Sequence, residues 1–462
     1  MRSVAVVGAG LAGLAAALRL IEAGVAVSVF EARSRVGGRV FSVPAPFAPD
    51  LVLDLGASFI NTDHADMMGL CKRMGLTLFR RAGALGASAP ADGYFWQGEW
   101  LSEDALAQAL RGAARRIAAD AAALEADFER LAPDVDQMSA AQYIDQILPA
   151  DGPDWARAFL VSAVRAEYGV EPGEASALEL IWLGLSVEGQ TLDLVGESDE
   201  AFEINGGSGL LPVRLAERIV AAGGEVVLDA PVSGIVERGS GVEVRLRSGL
   251  ARSFDVVLVA LPFPVLRDVA LEGAVPPAFR RFLEAARLGR NEKLFMGSKG
   301  RPWREDGRFA LNAWGGGDIC AMWDGTLRQE AEPVAGLTCY FGGDGVGALA
   351  AENLAIAVAD WAGGALQPLM PGFAASALAQ PVRTNWSRDP FSRGAYTSFA
   401  PGVYTRVADY LWYEGETPDA HSGPIFGRLG FIGEHLSGEY YGYMNGAAQT
   451  GRLAAETVLS RM

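Results

Sequence analysis

The sequence predicts an α/β protein built around a parallel sheet, and three observations favour this class. Residues 3–31 follow a strand–helix–strand pattern, in which the apolar runs Val4–Val7 and Val25–Phe30 flank leucines at helical spacing. Comparable units recur much later, at Gly206–Pro262 and Gly430–Leu459. Glycine makes up 57 of the 462 residues, or about 12% against a usual share of about 7%. This excess is typical of an α/β protein with many tight turns around a large ligand.

Composition and charge exclude several other classes of protein. Half of the residues are hydrophobic and 21% are charged, which indicates a globular chain. The 56 acidic and 39 basic residues give a formal charge of −17. Nucleic acids and anionic membrane surfaces select for basic proteins, so neither is an expected partner. At about 150 residues per domain, the length predicts two or three domains.

No metal centre, disulfide framework or membrane anchor is expected. The three cysteines and three histidines are scattered: Cys71, Cys320, Cys339, His64, His421 and His435. Arg2 and the apolar run Val4–Leu18 resemble a signal peptide, but Arg19 and Glu22 interrupt the run. No other run reaches the roughly 18 apolar residues of a membrane-spanning helix. We therefore expect a cytoplasmic protein, whose oligomeric state, a homodimer included, the sequence leaves open.

The chain path is predicted to be discontinuous. The strand–helix regions place residues 1–75, 205–265 and 398–462 in one nucleotide-binding domain. Helical and strand-rich stretches between them, at 76–204 and 266–397, are predicted to form an inserted α+β substrate-binding domain.

A dinucleotide site is predicted at the first strand–helix turn. Gly8, Gly10 and Gly13 form a GxGxxG pattern directly after a strand and at the start of a helix. The first glycine permits the tight turn, the second lets the backbone approach a pyrophosphate, and the third lets helix and strand pack closely. Glu31 ends the next strand about 20 residues on, where an acid accepts ribose hydroxyls. The helix N-terminus adds free N–H groups for the phosphates.

After the GxGxxG pattern, the chain continues with an acid, a short basic stretch and Gly-Gly-Arg. This order of elements resembles the flavin-dependent amine oxidase family, in which the same elements follow the fingerprint. Further segments match in the family's order: Asp54–Ser58, Ala230–Val232, Asn385–Trp386, Gly394–Thr397, Gly433–His435 and Gly442–Gly446. The resemblance implies a Rossmann-like FAD-binding domain. The residues that it implies for FAD are Gly8, Gly10, Gly13, Glu31, Arg33, Gly38, Arg39, Gly56, Ala57, Ser58, Val232, Gly433, Glu434, Tyr443 and Met444.

The same resemblance implies which residues surround the reaction. Tyr396 and Tyr443 correspond to two aromatic rings that stand perpendicular to the flavin and steer an amine between them. Trp386 corresponds to a residue packed on the flavin, and Lys293 to a lysine linked through water to flavin N5. Some relatives attach FAD through a cysteine where this chain has Ala395, so non-covalent FAD is expected.

The implied function is oxidation of a small amine with an apolar body. A hydride passes from the α carbon to flavin N5, the imine is hydrolysed afterwards, and the electrons go to O2 to give H2O2. Alternatives remain open at this point: a flavin-dependent desaturase, an amine dehydrogenase with another acceptor, a flavin-binding protein without turnover, or an amino-acid oxidase. An amino-acid oxidase would need an arginine clamp for the carboxylate, for which Arg165 and Arg328 are candidates. The sequence does not identify the amine.

Overall fold

The fold is seen in a computed structural model that describes residues 2–82, 92–196, 198–273, 275–304, 308–309, 311–329, 333–350, 354–364 and 366–462. In chain order the strands are β1 (Ser3–Val7), β2 (Ala26–Phe30), β3 (Ser42–Ala45), β4 (Ala48–Asp54), β5 (Phe59–Ile60), β6 (Leu78–Arg80), β7 (Asp92–Trp96), β8 (Glu99–Leu101), β9 (Ser186–Glu188), β10 (Thr191–Asp193), β11 (Phe202–Ile204), β12 (Glu225–Val227), β13 (Val232–Arg238), β14 (Gly241–Leu246), β15 (Ala251–Phe254), β16 (Val256–Val259), β17 (Ala270–Glu272), β18 (Arg287–Leu288), β19 (Asn291–Lys299), β20 (Asn312–Gly315), β21 (Ile319–Asp324), β22 (Val334–Gly342), β23 (Val382–Arg383), β24 (Thr397–Ser398), β25 (Ile425–Phe426) and β26 (Leu429–Phe431). The helices are α1 (Leu11–Glu22), α2 (Ala65–Arg73), α3 (Glu103–Ala126), α4 (Phe128–Gln137), α5 (Ala140–Ile147), α6 (Asp154–Tyr168), α7 (Ala177–Trp182), α8 (Leu210–Ala221), α9 (Phe263–Leu266), α10 (Pro277–Ala285), α11 (Leu354–Gly363), α12 (Phe373–Ser376), α13 (Tyr404–Val407) and α14 (Met444–Ser460).

The predicted parallel sheet is present and draws on all three strand–helix regions. Within the described residues it has the strand order β12-β2-β1-β16-β26-β25. All neighbours in it pair in parallel except β25 and β26. Val4, Val6 and Val7 are buried because helices cover both faces of such a sheet. The α/β class with a Rossmann-like domain is therefore confirmed.

Helix α1 packs between this sheet and α14, and small residues allow the close approach. A Cβ on Gly13 would lie 2.0 Å from the carbonyl oxygen of Gly8, and a Cβ on Gly451 would lie 2.3 Å from that of Ala12. Neither position has room for a side chain. The close packing brings the N-termini of α1 and α14, Leu11 and Met444, to the same cavity.

A second, largely antiparallel sheet belongs to the regions between the nucleotide-binding segments. In the described part of the chain its order is β23-β19-β22-β21-β20-β7-β8. It combines β7 and β8 with strands from beyond residue 290, and its own apolar core includes Leu294, Leu337, Phe341 and Phe373. This pairing is compatible with an inserted domain assembled from two segments, but the exact division of the chain into domains stays a prediction.

Within the inserted region 76–204, residues 103–137 form two helices, α3 and α4, which are separated at Asp127, whose φ of −155° and ψ of 66° are not helical. Among the described helices, none has the combination of length and apolar character that crossing a membrane requires.

Candidate active site

One large cavity runs from the first turn of the parallel sheet to the second sheet. Its volume is about 970 Å³, and its walls come from α1, α3, α6, α14, β19, β22 and the connecting loops. A volume of this size lies near the upper end of the usual range for cofactor and ligand sites, about 300–1,000 Å³.

The loop after β1 is shaped to hold a phosphate group. Gly8 has a φ of +107°, and a Cβ on it would lie 2.7 Å from the carbonyl oxygen of Ala260. A Cβ on Gly10 would meet no atom within 4 Å, because this residue borders the cavity. Glu31 accepts hydrogen bonds from the N–H groups of Ala9 and Arg33, both at 2.9 Å. Glu31 therefore fixes the conformation of this phosphate-binding loop.

Two helices begin at this cavity without side-chain caps. The N-caps are Gly10 for α1 and Tyr443 for α14, and neither makes a capping hydrogen bond through a side chain. Their first N–H groups can donate hydrogen bonds to the pyrophosphate and to the pyrimidine end of a flavin. These donors, with the open space at Gly10, fit FAD. Of the residues predicted for FAD, Gly13 and Val232 do not border the cavity, whereas the others do.

Ion pairs fix the basic residues of the predicted FAD set. Arg33 pairs with Asp389. Arg39 bonds to Glu434 at 2.8 Å and also donates to the carbonyl of Ala395. Burial opposes ionisation of Glu434, but the nearby Arg39 guanidinium prevails, so the pKa of Glu434 lies below its ordinary value. The other Glu434 oxygen accepts the Gly442 N–H at 2.8 Å, which joins this pair to the turn before α14.

Lys293 is buried in β19 and is held at the segment predicted to pass the flavin ring. Its Nζ donates to the Gly56 carbonyl at 2.7 Å, to Ser58 Oγ at 2.8 Å and to the Asp54 carbonyl at 3.2 Å. Burial lowers the pKa of Lys293 to about 8, and Asp54 partly offsets this effect. Lys293 is therefore a buried lysine of this strand and not a surface one.

Both arginines considered as carboxylate clamps are already engaged. Arg328 is buried between Asp54, at 3.0 Å, and Glu203. Arg165 forms a bidentate pair with Glu171. The Nε of Arg165 lies 2.9 Å from one carboxylate oxygen of Glu171 and 3.1 Å from the other. Neither borders the cavity. The structure thus offers no support for either one as a clamp.

Aromatic side chains form the far wall of the cavity. The Tyr396 hydroxyl bonds to the Tyr340 hydroxyl and donates to the Ala166 carbonyl at 2.7 Å. Tyr443 packs edge-on against His64, with ring centroids 5.2 Å apart. A Cβ on Gly442 would lie 4.0 Å from the Tyr396 ring, so the two predicted cage residues are neighbours across this turn.

The predicted Trp386 and two further tyrosines also reach the cavity. Trp386 donates its Nε1–H to the Leu55 carbonyl at 3.1 Å, beside the predicted flavin segment. Tyr441 stacks with Tyr168 at 6.4 Å, and Tyr440 packs edge-on against His64 at 5.6 Å. Both Tyr440 and Tyr441 line the cavity.

Sequence reasoning missed the acid on this wall, Glu167. It borders the cavity beside Tyr168, in the last turn of α6. A carboxylate at a helix C-terminus faces the negative end of the helix dipole. That unfavourable placement, two residues before the helix-ending Gly169, is the sequence signal that could have identified it.

Comparison with known proteins agrees with this geometry. A model of the family of flavin-containing amine oxidoreductases matches residues 11–459. The chain belongs to this family. The L-amino acid dehydrogenase of Synechocystis sp. is 25% identical and matches over 98% of this chain and 94% of its own. The flavin-containing amine oxidase B of Canis lupus familiaris is 27% identical, over 99% and 86%. The structure of putrescine oxidase bound to putrescine superposes with a TM-score of 0.81 at 23% identity, over 100% and 99%.

The chain is thus a flavin-dependent amine oxidase whose cofactor is FAD. We expect the FAD to be bound without a covalent link. Among the described residues the three cysteines are buried and none borders the cavity, and Ala395 has no group that could form a bond. Acid denaturation followed by filtration should release all of the yellow colour. Flavin that stays with the denatured chain would contradict this prediction.

Proposed function

We propose that this enzyme oxidises a primary or secondary amine with an apolar body and passes the electrons to O2. The observation that carries the proposal is the charge of the cavity wall. The described carboxylates that line the cavity away from the FAD end are Asp63, Glu125, Glu439 and Glu200, the last of which pairs with Arg81, and Glu167 adds its charge once it ionises at about pH 8. The cations among the described lining residues are Arg33 and Arg39, which are paired at the FAD end, and Lys293, whose ammonium group is held by the Gly56 and Asp54 carbonyls and Ser58. Such a wall attracts a cation and repels a carboxylate.

Each side chain then has a role in this proposal. When bound, FAD supplies the acceptor for a hydride from the carbon beside the nitrogen. The rings of Tyr396 and Tyr443 orient the amine, since aromatic faces attract positive charge. The hydroxyl contact with Tyr340 and the Ala166 carbonyl holds Tyr396 in place. Trp182, Tyr168 and Tyr441 give the apolar body of the amine an aromatic surface.

A pair of matched substrates tests the substrate class. Phenethylamine and phenylalanine differ only by a carboxylate, so their rates of anaerobic flavin bleaching compare an amine site directly with an amino-acid site. We expect faster bleaching by the amine. Faster bleaching by phenylalanine would instead support an amino-acid oxidoreductase.

Admission of air to the bleached enzyme tests the acceptor. Rapid return of the yellow colour with one peroxide per flavin is the result expected for an oxidase. Slow return in air, with fast return on addition of a quinone, would identify a dehydrogenase.

Tyr443→Ala should reduce turnover more than stability. Loss of the ring removes orientation and ring-face attraction, together worth about 1–3 kcal/mol, or roughly 5- to 150-fold in rate. The ring is only partly buried, so the cost to folding should fall below the 3–5 kcal/mol typical of a large core aromatic. Anaerobic flavin reduction and thermal melting measure the two effects.

Tyr410→Ala is the matched control for this variant. Tyr410 is also partly buried and packs on Phe279 at 5.2 Å, but it does not border the cavity. It should lose stability and keep its rate of flavin reduction. A Tyr443→Ala variant that behaves like this control would identify Tyr443 as a packing residue.

A further inference from the structure

Glu167 places a carboxyl group in the cavity wall that no contact within the described residues explains. It is the penultimate residue of α6 and borders the cavity. Among the described residues its carboxylate has neither a hydrogen bond nor an ion pair. The dipole of α6 also disfavours a negative charge at this end of the helix. Folding therefore gains nothing from this carboxylate, and a charged ligand is the simplest reason for its presence.

The backbone beside Glu167 is fixed to the predicted amine-steering residues. The Ala166 carbonyl accepts the Tyr396 hydroxyl at 2.7 Å and the Asn291 side-chain amide at 3.0 Å. The titratable groups that face Glu167 from other segments are Glu200, Tyr340, Tyr396 and Tyr443, and Tyr168 follows it on the same helix. The carboxylate thus lies where a substrate nitrogen would pass.

The two nearby arginines already form ion pairs with other acids. Arg81 pairs with Glu200 at 2.8 Å, and Arg165, on the same helix as Glu167, pairs with Glu171. Burial, and then the like charge of Glu200, raises the pKa of Glu167 to about 8. Below that pH the carboxyl is protonated, and above it the carboxylate is available to a cation and able to accept a proton.

We propose that Glu167 binds the ammonium group of the substrate and accepts one of its protons, so that the nitrogen is neutral when the neighbouring carbon is oxidised. An N–H bond breaks, its electron pair stays on nitrogen as the lone pair, and an O–H bond forms on the carboxylate. The step needs no oxidant. It rests on the amine oxidation proposed above, and it makes Glu167 a catalytic residue of that reaction.

The first test is the pH dependence of kcat/KM in Glu167→Gln. In the wild-type enzyme kcat/KM for phenethylamine should rise through about pH 8 as Glu167 ionises. In the variant it should follow the ionisation of the amine itself, near the pKa of about 10.4 of an alkylammonium group. At pH 8 we expect a loss of about 100-fold, the lower end for general acid–base catalysis. A β,β-difluorinated analogue, which is already neutral in solution, should lose little.

Glu125→Gln is the matched control. Glu125 is also the penultimate residue of its helix, α3, and also borders the cavity, but it is exposed to solvent. Its removal makes the wall less acidic without touching the tyrosines, so kcat/KM should fall slightly at every pH while the shape of the pH profile stays that of the wild type. Flavin content and melting temperature of both variants report folding. An unchanged pH profile of kcat/KM in Glu167→Gln would overturn the role of Glu167 and leave amine oxidation in place. A wild-type enzyme whose flavin is bleached by no amine would overturn the proposed function itself.

A second test counts protons and needs no turnover. A tertiary-alkyl primary amine has no hydrogen on the carbon beside nitrogen, so it binds without being oxidised. Calorimetry at pH 9 in two buffers of different ionisation enthalpy gives the protons released on binding. We expect almost none from the wild type, because Glu167 retains the proton, and about one from Glu167→Gln, following the amine's pKa. Equal release from both proteins would overturn the proposal.

Discussion

Gly10→Val should give a soluble, folded and colourless protein. Gly10 has a φ of −71° and a ψ of 176°, an extended conformation that valine adopts readily. A Cβ at this position meets no protein atom within 4 Å, so the substitution should not strain the chain. The new methyl groups would instead occupy the space in front of the first N–H groups of α1, where a pyrophosphate would bind.

Losing two hydrogen bonds to a charged phosphate costs about 3–6 kcal/mol, or roughly 140- to 20,000-fold in affinity for FAD. The ratio of flavin to protein absorbance in the purified variant, and its melting temperature against that of wild-type apoprotein, measure the outcome. Normal flavin content would contradict the assignment of this loop to phosphate.

Variants at two other glycines distinguish a loss of ligand binding from a loss of packing. Gly173 lies in an exposed loop, and a Cβ on it would also meet no atom within 4 Å, so Gly173→Val should keep both its fold and its FAD. Gly13→Val should fail differently, because its Cβ would lie 2.0 Å from the Gly8 carbonyl oxygen. That variant should be insoluble or strongly destabilised, whereas Gly10→Val should fold.

The nucleotide end of the site could be predicted because its requirements are local. The turn at Gly8, the open position at Gly10 and the acid at Glu31 all lie within one strand–helix–strand unit. Backbone geometry ties each of them to a fixed spacing, so the sequence pattern carries the structure.

The substrate end could not be predicted in the same way. Glu167, Tyr340 and Tyr443 come from α6, β22 and the start of α14, and only tertiary packing brings them together. The resemblance supplied Tyr443 but gave no indication of Tyr340 or Glu167. Likewise, the pairing of Arg328 with Asp54 and Glu203 depends on contacts between distant segments, which is why a free clamp remained open from the sequence.

Lys293→Met should slow reoxidation of the reduced enzyme by O2 about 100-fold and slow flavin reduction far less. A buried cation stabilises the negative charge that develops on oxygen as it takes an electron, and removal of one such donor typically costs about 2.7–4 kcal/mol, or at least 100-fold. The amine carries no developing negative charge at that position. Stopped-flow measurement of the two half-reactions separates these effects.

The wild-type enzyme offers an independent check of the same charge. Burial lowers the pKa of Lys293 to about 8, so the ammonium form predominates below that pH and is lost above it. Reoxidation should therefore slow as the pH rises through about 8. Lys299→Met, at the exposed end of the same strand, should change neither half-reaction. Equal slowing of both half-reactions in Lys293→Met, with reoxidation of the wild type independent of pH, would show that Lys293 only holds the Gly56 and Ser58 segment in place.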